Sequence, residues 1–270
     1  MTTETTVRTG DGVSLHVSAT GSGPAVVLVA GYGATAASWV FQVDALTAAG
    51  YRAVCVDRRS HGRSDNPPFG HRVSRHGKDL REVLDALDLG PVALVGGSMG
   101  ASAIWAMLDL FGTGSVRGVV SVDQTPKMIN SADWENGFYG LTDDNGGTFF
   151  ADGVPQTGRG LTPEQSLPAY TRLVERLGDP TALGVRPEGT EALLRDHAQQ
   201  DWRDVVARAD VPVLMVAGAQ SQYWPAAHAE AAVRDTADGR AVTIEDCGHA
   251  ANLDRPAEFN TALLTFLHDL

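Results

Sequence analysis

Residues 91–108 read PVALVGGSMGASAIWAML. The apolar run 92–95 has the length and composition of a strand that is buried on both of its faces. From Ala101 to Leu108, small and apolar side chains recur at helical spacing. The segment GGSMG between them matches G-x-S-x-G, a pattern in which a sharp strand-to-helix turn holds a serine in a strained backbone conformation. We therefore predict a strand, a turn with Ser98 at its tip, and a helix.

The predicted turn would expose the Ser98 hydroxyl at the N-terminus of a helix. Glycine on either side leaves room for the neighbouring backbone. The unpaired N–H groups and the dipole of the helix favour a developing negative charge at this position. These properties are typical of a nucleophilic serine. The alternative interpretation is a glycine-rich turn whose serine only caps the helix.

Strand and helix patterns alternate through most of the chain, after a hairpin pattern over 5–19. The apolar runs that predict strands lie at 25–30, 51–57, 92–95, 116–123, 211–218 and 241–245. The periodic segments that predict helices lie at 39–49, 74–87, 101–108, 225–234 and 255–270. Repeated strand–helix units predict an α/β fold, with a mostly parallel central sheet and helices on both of its faces.

One long segment interrupts this alternation. It begins with residues of little periodicity and continues with amphipathic helical patterns at 163–177 and 188–200. We predict a core domain formed by residues 1–123 and 210–270, with 124–209 inserted as a mainly helical cap. Because ligands of parallel sheets bind beyond the carboxyl ends of the strands, such a cap would cover the binding site.

Composition excludes several classes of protein. The 270 residues carry a formal charge of −12 and contain no block of lysine and arginine, which argues against nucleic acid and membrane surfaces as partners. No apolar run approaches the roughly 18 residues of a membrane span, and the N-terminal residues lack the pattern of a signal peptide. The two cysteines form no disulfide framework, so we expect a cytoplasmic protein. Histidine and cysteine show no metal-ligand spacing, and we expect no metal and no cofactor.

A nucleophilic serine requires a base, and the base requires an acid that orients it. His249 follows the last predicted strand, which places it at the same sheet edge as Ser98, and we predict that it is the base. The alternative is a surface-loop histidine without a partner. Other histidines are interpreted as packing, solvated or loop residues, namely His16, His61, His71, His76, His228 and His268.

An oxyanion formed at Ser98 would need two backbone N–H donors. The residue after the nucleophile, Met99, supplies one. The turn after the first buried parallel strand should supply the other, and we predict the N–H of Tyr32. Gly31 and Gly33 also fit a simple tight turn, and both interpretations can hold together.

Four segments make the chain similar to the α/β-hydrolase superfamily, in the branch that contains esterases, lactonases and cofactor-free haloperoxidases. They are GYGA at 31–34, DRRSHGRSD at 57–65, GGSMG at 96–100 and DCGHAANLDRPAEF at 246–259. The resemblance implies an α/β-hydrolase fold and the chain order Ser98, acid, His249. Many relatives have His-Gly where this chain has Ala30-Gly31, but a backbone donor is unaffected by that change.

The position of the acid departs from the common pattern. Relatives place a carboxylate three residues after the glycine that ends the penultimate strand. Ser221 stands there in this chain, and no carboxylate occurs from residue 218 to residue 229. A serine cannot hold the imidazole tautomer and stabilise its cation as an ionised carboxylate does.

Asp123 can supply the missing acid, because it ends the strand after the Ser98 helix at the same sheet edge. A minority of α/β-hydrolases are similar in using an acid there. We predict Asp123 as the acid of the triad, with Asp246 and Asp254 as rivals. Asp123 could instead have a structural role, capping the backbone where the inserted segment begins or pairing with an arginine. The resemblance implies that Asp57 braces the loop that follows it.

Aromatic and soft side chains near these loops and in the cap are the candidate binding residues. We single out Tyr32, Trp39, Met99, Met128, Trp134, Phe138, Tyr139, Phe149, Phe150, Tyr223 and Trp224. Each of them could equally belong to the core of the cap. Their number favours an apolar substrate, aromatic or cyclic.

The sequence thus predicts a serine hydrolase that cleaves a carboxylic ester or lactone of a small, largely apolar molecule through an acyl-enzyme. Perhydrolysis and C–C bond hydrolysis use the same groups, and the sequence does not separate them. Two other classes stay open. One is a receptor-like binding protein with a vestigial triad, and the other is a non-hydrolytic tailoring enzyme, a cyclase or lyase. The expected partner is a small molecule, and a homodimer is left open.

Overall fold

The computed structural model describes residues 1–270, apart from the side chain of Pro180. The strands in this range are β1 Thr2–Arg8, β2 Ser14–Thr20, β3 Ala25–Val29, β4 Arg52–Val56, β5 Val92–Gly97, β6 Val116–Val122, β7 Val213–Gly218 and β8 Gly239–Ile244. They form one sheet in the order β1-β2-β4-β3-β5-β6-β7-β8. β2 pairs antiparallel with both β1 and β4, and the remaining pairs are parallel, which confirms the mostly parallel sheet.

The helices flank this sheet. They are α1 Val40–Ala48, α2 Val73–Ala86, α3 Met99–Phe111, α4 Pro163–Leu177, α5 Glu191–Ala198, α6 Arg203–Ala207, α7 His228–Val233, α8 Ala251–Asp254 and α9 Pro256–His268, with short 3₁₀ turns at Ala36–Trp39 and Pro180–Leu183. Among the described residues, no helix combines the length and the apolar character that crossing a membrane would require.

Successive residues of β3 point into two different apolar layers, as the twofold period of a strand requires. Val27 and Val29 pack in the layer that contains the apolar faces of α2 and α3. Val26 and Leu28 pack in the layer that contains the buried residues of α9, including Phe259. Helices therefore cover both faces of the sheet, as predicted.

The turn between β5 and α3 is closely packed on both sides. Ser98 has φ 50° and ψ −129°, a backbone conformation that non-glycine residues rarely adopt. A Cβ atom at Gly100 would lie 2.1 Å from the carbonyl oxygen of Val29, and one at Gly96 would lie 2.5 Å from Ala101 Cα. Glycine is therefore required on both sides, and the predicted strand, turn and helix are confirmed.

The segment 124–209 contributes α4, α5 and α6, and no strand of the described sheet. Its ends run side by side, because the Trp202 N–H donates to the carbonyl oxygen of Pro126 at 2.9 Å. α4 coincides with the helix predicted at 163–177, whereas α6 was not predicted. The division of the chain into a core and a cap remains a prediction.

His76 was grouped with the loop histidines, although it falls within the helix predicted at 74–87. The structure follows the helix prediction and places His76 on the buried inner face of α2. Its ring contacts the Arg58 guanidinium, with Nδ1 and Nη1 2.9 Å apart. Burial, and then the charge of Arg58, lower the pKa of His76 well below its usual value.

Candidate active site

Three loops at the carboxyl edge of the sheet carry the candidate site. They are the β5–α3 turn, the residues that follow β6, and the loop between β8 and α8. The Ser98 N–H donates to the carbonyl oxygen of Val122 at 3.0 Å, which ties the turn to the end of β6. The Asp123 N–H donates to the carbonyl oxygen of Val216 at 2.6 Å, which ties the end of β6 to β7. The parallel register of the sheet thus holds these loops in place.

Asp123 and His249 form the central polar pair. His249 Nδ1 lies 2.7 Å from Asp123 Oδ2. Asp123 is fully buried, and its oxygens also accept hydrogen bonds from the Gly218 N–H at 2.9 Å and the Ser221 hydroxyl at 2.6 Å. Burial raises the pKa of this carboxyl, but the contacts of His228 and His249 outweigh burial and lower the pKa to about 2. Asp123 is therefore ionised at neutral pH.

The rival carboxylates serve other partners. Asp246 accepts a hydrogen bond from the Arg255 guanidinium at 2.9 Å. Asp254 accepts one from the Gly248 N–H at 2.8 Å, and burial raises its pKa. Neither carboxylate makes a hydrogen bond with the His249 ring in the part of the chain that the structure describes. Of the three candidate acids, the structure brings only Asp123 to this ring.

Ser98 and His249 line the same cavity, whose volume is about 190 Å³. The two side chains make no direct hydrogen bond among the described residues. Catalytic hydrogen bonds are often longer in the absence of substrate and shorten when substrate binds. The His249 N–H donates to Gln222 Oε1 at 3.1 Å, and the rings of Tyr223 and Trp224 meet the imidazole edge-on at 4.5 Å and 5.3 Å. These contacts fix the position of the imidazole.

The two predicted oxyanion donors lie on either side of Ser98. Met99 is the first residue of α3, so its N–H has no acceptor within the helix. The turn after β3 lies against the serine, since a Cβ atom at Gly31 would be 3.1 Å from Ser98 Cβ. The Tyr32 hydroxyl lies 2.8 Å from Thr190 Oγ1, a contact that anchors this turn to the residue before α5.

Most of the predicted binding residues surround Ser98. Tyr32, Trp39 and Tyr223 line the cavity of about 190 Å³. A second cavity of about 40 Å³ also reaches Ser98. Of the predicted residues, those that line this second cavity are Tyr32, Met99, Met128, Phe138, Phe150, Tyr223 and Trp224.

Trp134, Tyr139 and Phe149 line neither cavity, and their assignment as binding residues stays a prediction. The Trp134 indole N–H donates to the carbonyl oxygen of Lys127 at 2.9 Å, so the ring is directed back to its own segment. The Tyr139 ring lies under the Arg159 guanidinium, 4.1 Å from the ring centre. Phe149 packs against the apolar cluster that also contains residues of the sheet, and its ring meets that of Phe138 edge-on at 5.5 Å. In this irregular segment, spacing along the chain does not determine which direction a ring faces.

Two histidines near the site were missed. His228, interpreted from the sequence as a solvated or packing residue, is fully buried, and its Nε2 lies 3.5 Å from Asp123 Oδ1. His197 in α5 was not singled out at all, and it lines the cavity of about 40 Å³. The amphipathic pattern of α5 places His197 on the buried face with Leu193 and Leu194, and that pattern was the available signal.

No group of three or more His, Cys, Asp or Glu side chains arranged to hold a metal ion occurs among the described residues. Asp57 accepts a hydrogen bond from the Arg63 N–H at 3.1 Å, which confirms that it braces its loop.

Fold and site together define an α/β protein with a strained serine turn beside a buried aspartate that contacts a histidine. The family model for the alpha/beta hydrolase fold matches residues 24–256, so the chain belongs to the alpha/beta hydrolase family.

Individual relatives extend over the whole chain. A non-heme chloroperoxidase of Streptomyces lividans is 28% identical over 97% of this chain and 99% of its own. The crystal structure of a bromoperoxidase from Bacillus anthracis has a TM-score of 0.81 at 25% identity, covering 98% of this chain and 100% of that chain. The esterase RhEst1 from Rhodococcus sp. ECU1013 has a TM-score of 0.77 at 26% identity, covering 99% of each chain. Proteins named as a bromoperoxidase and as an esterase thus share this fold.

Proposed function

We propose that this protein is a serine hydrolase that cleaves a carboxylic ester or lactone through an acyl-enzyme. The observation that carries the proposal is the 2.7 Å contact between His249 Nδ1 and Asp123, at the edge of a cavity that Ser98 also lines. The carboxylate would hold the Nδ1–H tautomer, which leaves Nε2 free to act as a base. The similarity to a Rhodococcus esterase agrees with this assignment.

In the first half of the reaction, the Ser98 Oγ attacks the carbonyl carbon while its proton passes to His249 Nε2. The N–H groups of Tyr32 and Met99 stabilise the oxyanion that forms. The tetrahedral intermediate then collapses and expels the alcohol oxygen, which takes the proton from His249. The acyl group remains bound to Ser98.

In the second half, His249 removes a proton from water, and the hydroxide attacks the acyl carbonyl. The second tetrahedral intermediate expels Ser98 Oγ, which recovers its proton from His249. The products are a carboxylic acid and the free enzyme, so atoms and charges balance. Asp123, with its pKa lowered to about 2, stays ionised and stabilises the imidazolium in both halves.

Perhydrolysis is a second candidate for the same site. The similarity to proteins named non-heme chloroperoxidase and bromoperoxidase favours it. Hydrogen peroxide would replace water in the second half. It would lose a proton to His249 and attack the acyl carbonyl, and Ser98 Oγ would be expelled and recover the proton as the peracid leaves. The same side chains serve both reactions, so the choice depends on which nucleophile reaches the acyl-enzyme.

A labelling and turnover experiment tests the proposal. We expect an alkyl fluorophosphonate to label the wild-type protein and p-nitrophenyl esters to be hydrolysed, with short acyl chains preferred. Ser98→Ala should lose both properties, because it removes the attacking oxygen. Ser102→Ala is the matched control, since Ser102 is a buried serine of the same helix that lines neither cavity, and it should be labelled normally.

Other outcomes would overturn the proposal. Ligand binding without labelling or turnover would support a receptor-like protein. Conversion of an ester-free substrate without labelling would support a cyclase or lyase. Peracid formed in hydrogen peroxide, at a rate above that of acid formation, would favour perhydrolysis over hydrolysis.

A further inference from the structure

Two cavities of very different size meet at Ser98. Ser98, Tyr32, Val154 and Tyr223 line both of them. The larger cavity has a volume of about 190 Å³, and the smaller one has a volume of about 40 Å³. An ester bound at Ser98 would extend from its carbonyl carbon in two directions, with the acyl chain on one side and the alcohol on the other. The two cavities correspond to these two directions.

The proposed mechanism determines which cavity takes which half of the ester. His249 must reach the alcohol oxygen in order to protonate it. His249 lines the larger cavity and not the smaller one, so the alcohol belongs in the larger cavity. Met99 lines only the smaller cavity, and its N–H is a proposed oxyanion donor beside the carbonyl. The acyl chain therefore belongs in the smaller cavity.

The alcohol side has further space. A third cavity, of about 300 Å³, adjoins the cavity of about 190 Å³ and shares Tyr223, His249 and Ala250 with it. This third cavity continues along Arg159 and Gln222. The smaller cavity, at about 40 Å³ against about 190 Å³, gives the acyl side much less room than the alcohol side. The smaller cavity therefore favours short acyl groups over long ones.

The walls of the smaller cavity are apolar or aromatic with one main exception. Met128, Phe138, Phe150, Leu194 and Trp224 supply most of the surface. The exception is His197, whose side chain comes from α5 and is 5% exposed.

The polar atoms of His197 lack partners in the protein. Its Nδ1 is buried and makes no hydrogen bond, and its Nε2 makes none to any described residue. Burial, followed by the charges of Arg58 and His249, lowers the pKa of His197 to about 3. The ring is therefore neutral at pH 7, with one N–H donor and one acceptor nitrogen. A buried polar group without a partner destabilises the protein, and a hydrogen bond to a suitable substrate atom would remove this cost.

We propose that the smaller cavity binds a short acyl group that carries a hydroxyl next to the carbonyl, and that His197 recognises this hydroxyl. A hydroxyl can donate and accept, so it suits either tautomer of the neutral ring. A carboxylate suits the site poorly, because the neutral ring gives it no compensating charge in an apolar cavity. The inference rests on the proposed function, since it takes the ester orientation from the reaction at Ser98.

Three phenyl esters test the inference. The propionate is the reference, the 2-hydroxypropionate carries the hydroxyl, and the 2-methylpropionate has a methyl group of similar size in its place. The measured quantity is the ratio of kcat/KM for the hydroxy ester to kcat/KM for the methyl ester. We expect His197→Leu to lower this ratio about tenfold relative to the wild type, because it removes a hydrogen bond to the hydroxyl. The intrinsic reactivities of the esters cancel in that comparison.

Two further variants separate recognition from a structural role. His197→Gln keeps a polar group and should retain part of the preference for the hydroxy ester. Leu194→Ala enlarges the same cavity without removing the imidazole, so it should favour longer acyl chains and keep the ratio. Circular dichroism and Tm identify a variant that fails to fold, and His197→Gln then provides the decisive comparison.

A ratio unchanged in both His197 variants, with ester turnover and Ser98 labelling intact, would overturn the role of His197 alone. Absence of labelling and of turnover for all three esters would instead overturn the proposed function. Equal turnover of hexanoate and propionate esters by the wild type would overturn the assignment of the acyl chain to the smaller cavity.

Discussion

Asp57 and Asp123 occupy equivalent positions in the sheet, yet only one of them belongs to the candidate site. β4 and β6 are parallel to β3 and β5, so both strands end at the same edge. Each carboxylate is buried, and each lies beside the Nδ1 atom of a histidine, at 2.9 Å for His16 and 2.7 Å for His249. Three strand spacings, roughly 14 Å, separate the two strands.

The two histidines differ at their second nitrogen. The Nε2 atom of His16 contacts the carboxylate of Glu4, so both ring nitrogens of His16 are occupied. The Nε2 atom of His249 makes no hydrogen bond to the described residues, and its ring lines a cavity together with Ser98. A general base needs a free nitrogen and a nearby hydroxyl. His249 has a free nitrogen and shares a cavity with the Ser98 hydroxyl, whereas both ring nitrogens of His16 are occupied.

The two carboxylates also differ in what they hold. Asp57 accepts hydrogen bonds from the N–H groups of Ala36 at 2.8 Å and Arg63 at 3.1 Å, so it ties two loops together. Asp123 is held by Gly218 and Ser221 and positions one imidazole. A contact between an aspartate at a strand end and a histidine is therefore not evidence of a catalytic site by itself. The distinguishing feature is whether the Nε2 atom of the histidine is free to accept a proton.

The largest expected effect is the difference in kcat between the variants Asp123→Asn and Asp57→Asn. Asp123→Asn should lower kcat for a p-nitrophenyl ester by about 10⁴-fold, because the amide no longer holds the correct imidazole tautomer or stabilises its cation. Asp57→Asn should leave kcat within the same order of magnitude, but lower the free energy of unfolding by about 2 kcal/mol through weakened loop hydrogen bonds. Steady-state kinetics and urea denaturation measure the two quantities. Equal losses of kcat in both variants would contradict the distinction.

His197 makes no hydrogen bond to a carboxylate of the described residues, unlike His16 and His249, and this difference should appear in the pH dependence of stability. The pKa of His197 is lowered from 6.5 to about 3 by burial and by the charges of Arg58 and His249. As the pH falls below 6.5, the unfolded chain binds a proton at His197 and the folded chain does not. Stability is therefore retained above that pH and lost as the pH falls toward 3.

The free energy of unfolding of the wild type should fall between pH 7.5 and pH 5, because only the unfolded chain binds a proton at His197. In His197→Gln this fall should be smaller by about 2 kcal/mol. Urea denaturation at the two pH values measures the difference. His268→Gln is the control, because it makes the same substitution at an exposed histidine of α9. Equal losses in wild type and His197→Gln would show that His197 is protonated in the folded protein.

The smallest expected effect concerns Ser221, which stands where relatives place the acid. Its hydroxyl donates to Asp123, but the carboxylate keeps the Gly218 N–H and His249 when that hydroxyl is removed. We expect Ser221→Ala to lower kcat about fivefold, corresponding to about 1 kcal/mol. A loss as large as that of Asp123→Asn would mean that the acid assignment is incorrect.

The elements at the sheet edge were predictable because each depends on local sequence. The turn at Ser98 needs glycine at 96 and 100 for steric reasons, and a single sequence shows both. The positions of Asp123 and His249 follow from strand ends, and parallel strands bring such ends together. The contact between Asp123 and His249 could therefore be predicted from the sequence.

The lining of the pocket was not predictable in the same way. Trp134 and Tyr139 carry the same kind of side chain as Phe138, yet only Phe138 lines a cavity at Ser98. His197 lines a cavity together with Ser98, although it lies in α5, about a hundred residues further along the chain. Residues 124–162 have little periodicity, so no pattern indicates which side of the backbone faces inward.

The sequence alone determined the sheet, the strained serine turn and the residues at the strand ends, because steric limits and strand periodicity act over a few neighbouring residues. The tertiary structure alone decided that His249 has a free nitrogen where His16 has none, that His228 lies beside Asp123, and that His197 lines a cavity together with Ser98. These facts depend on contacts between residues far apart in the chain, and packing, not local spacing, sets such contacts.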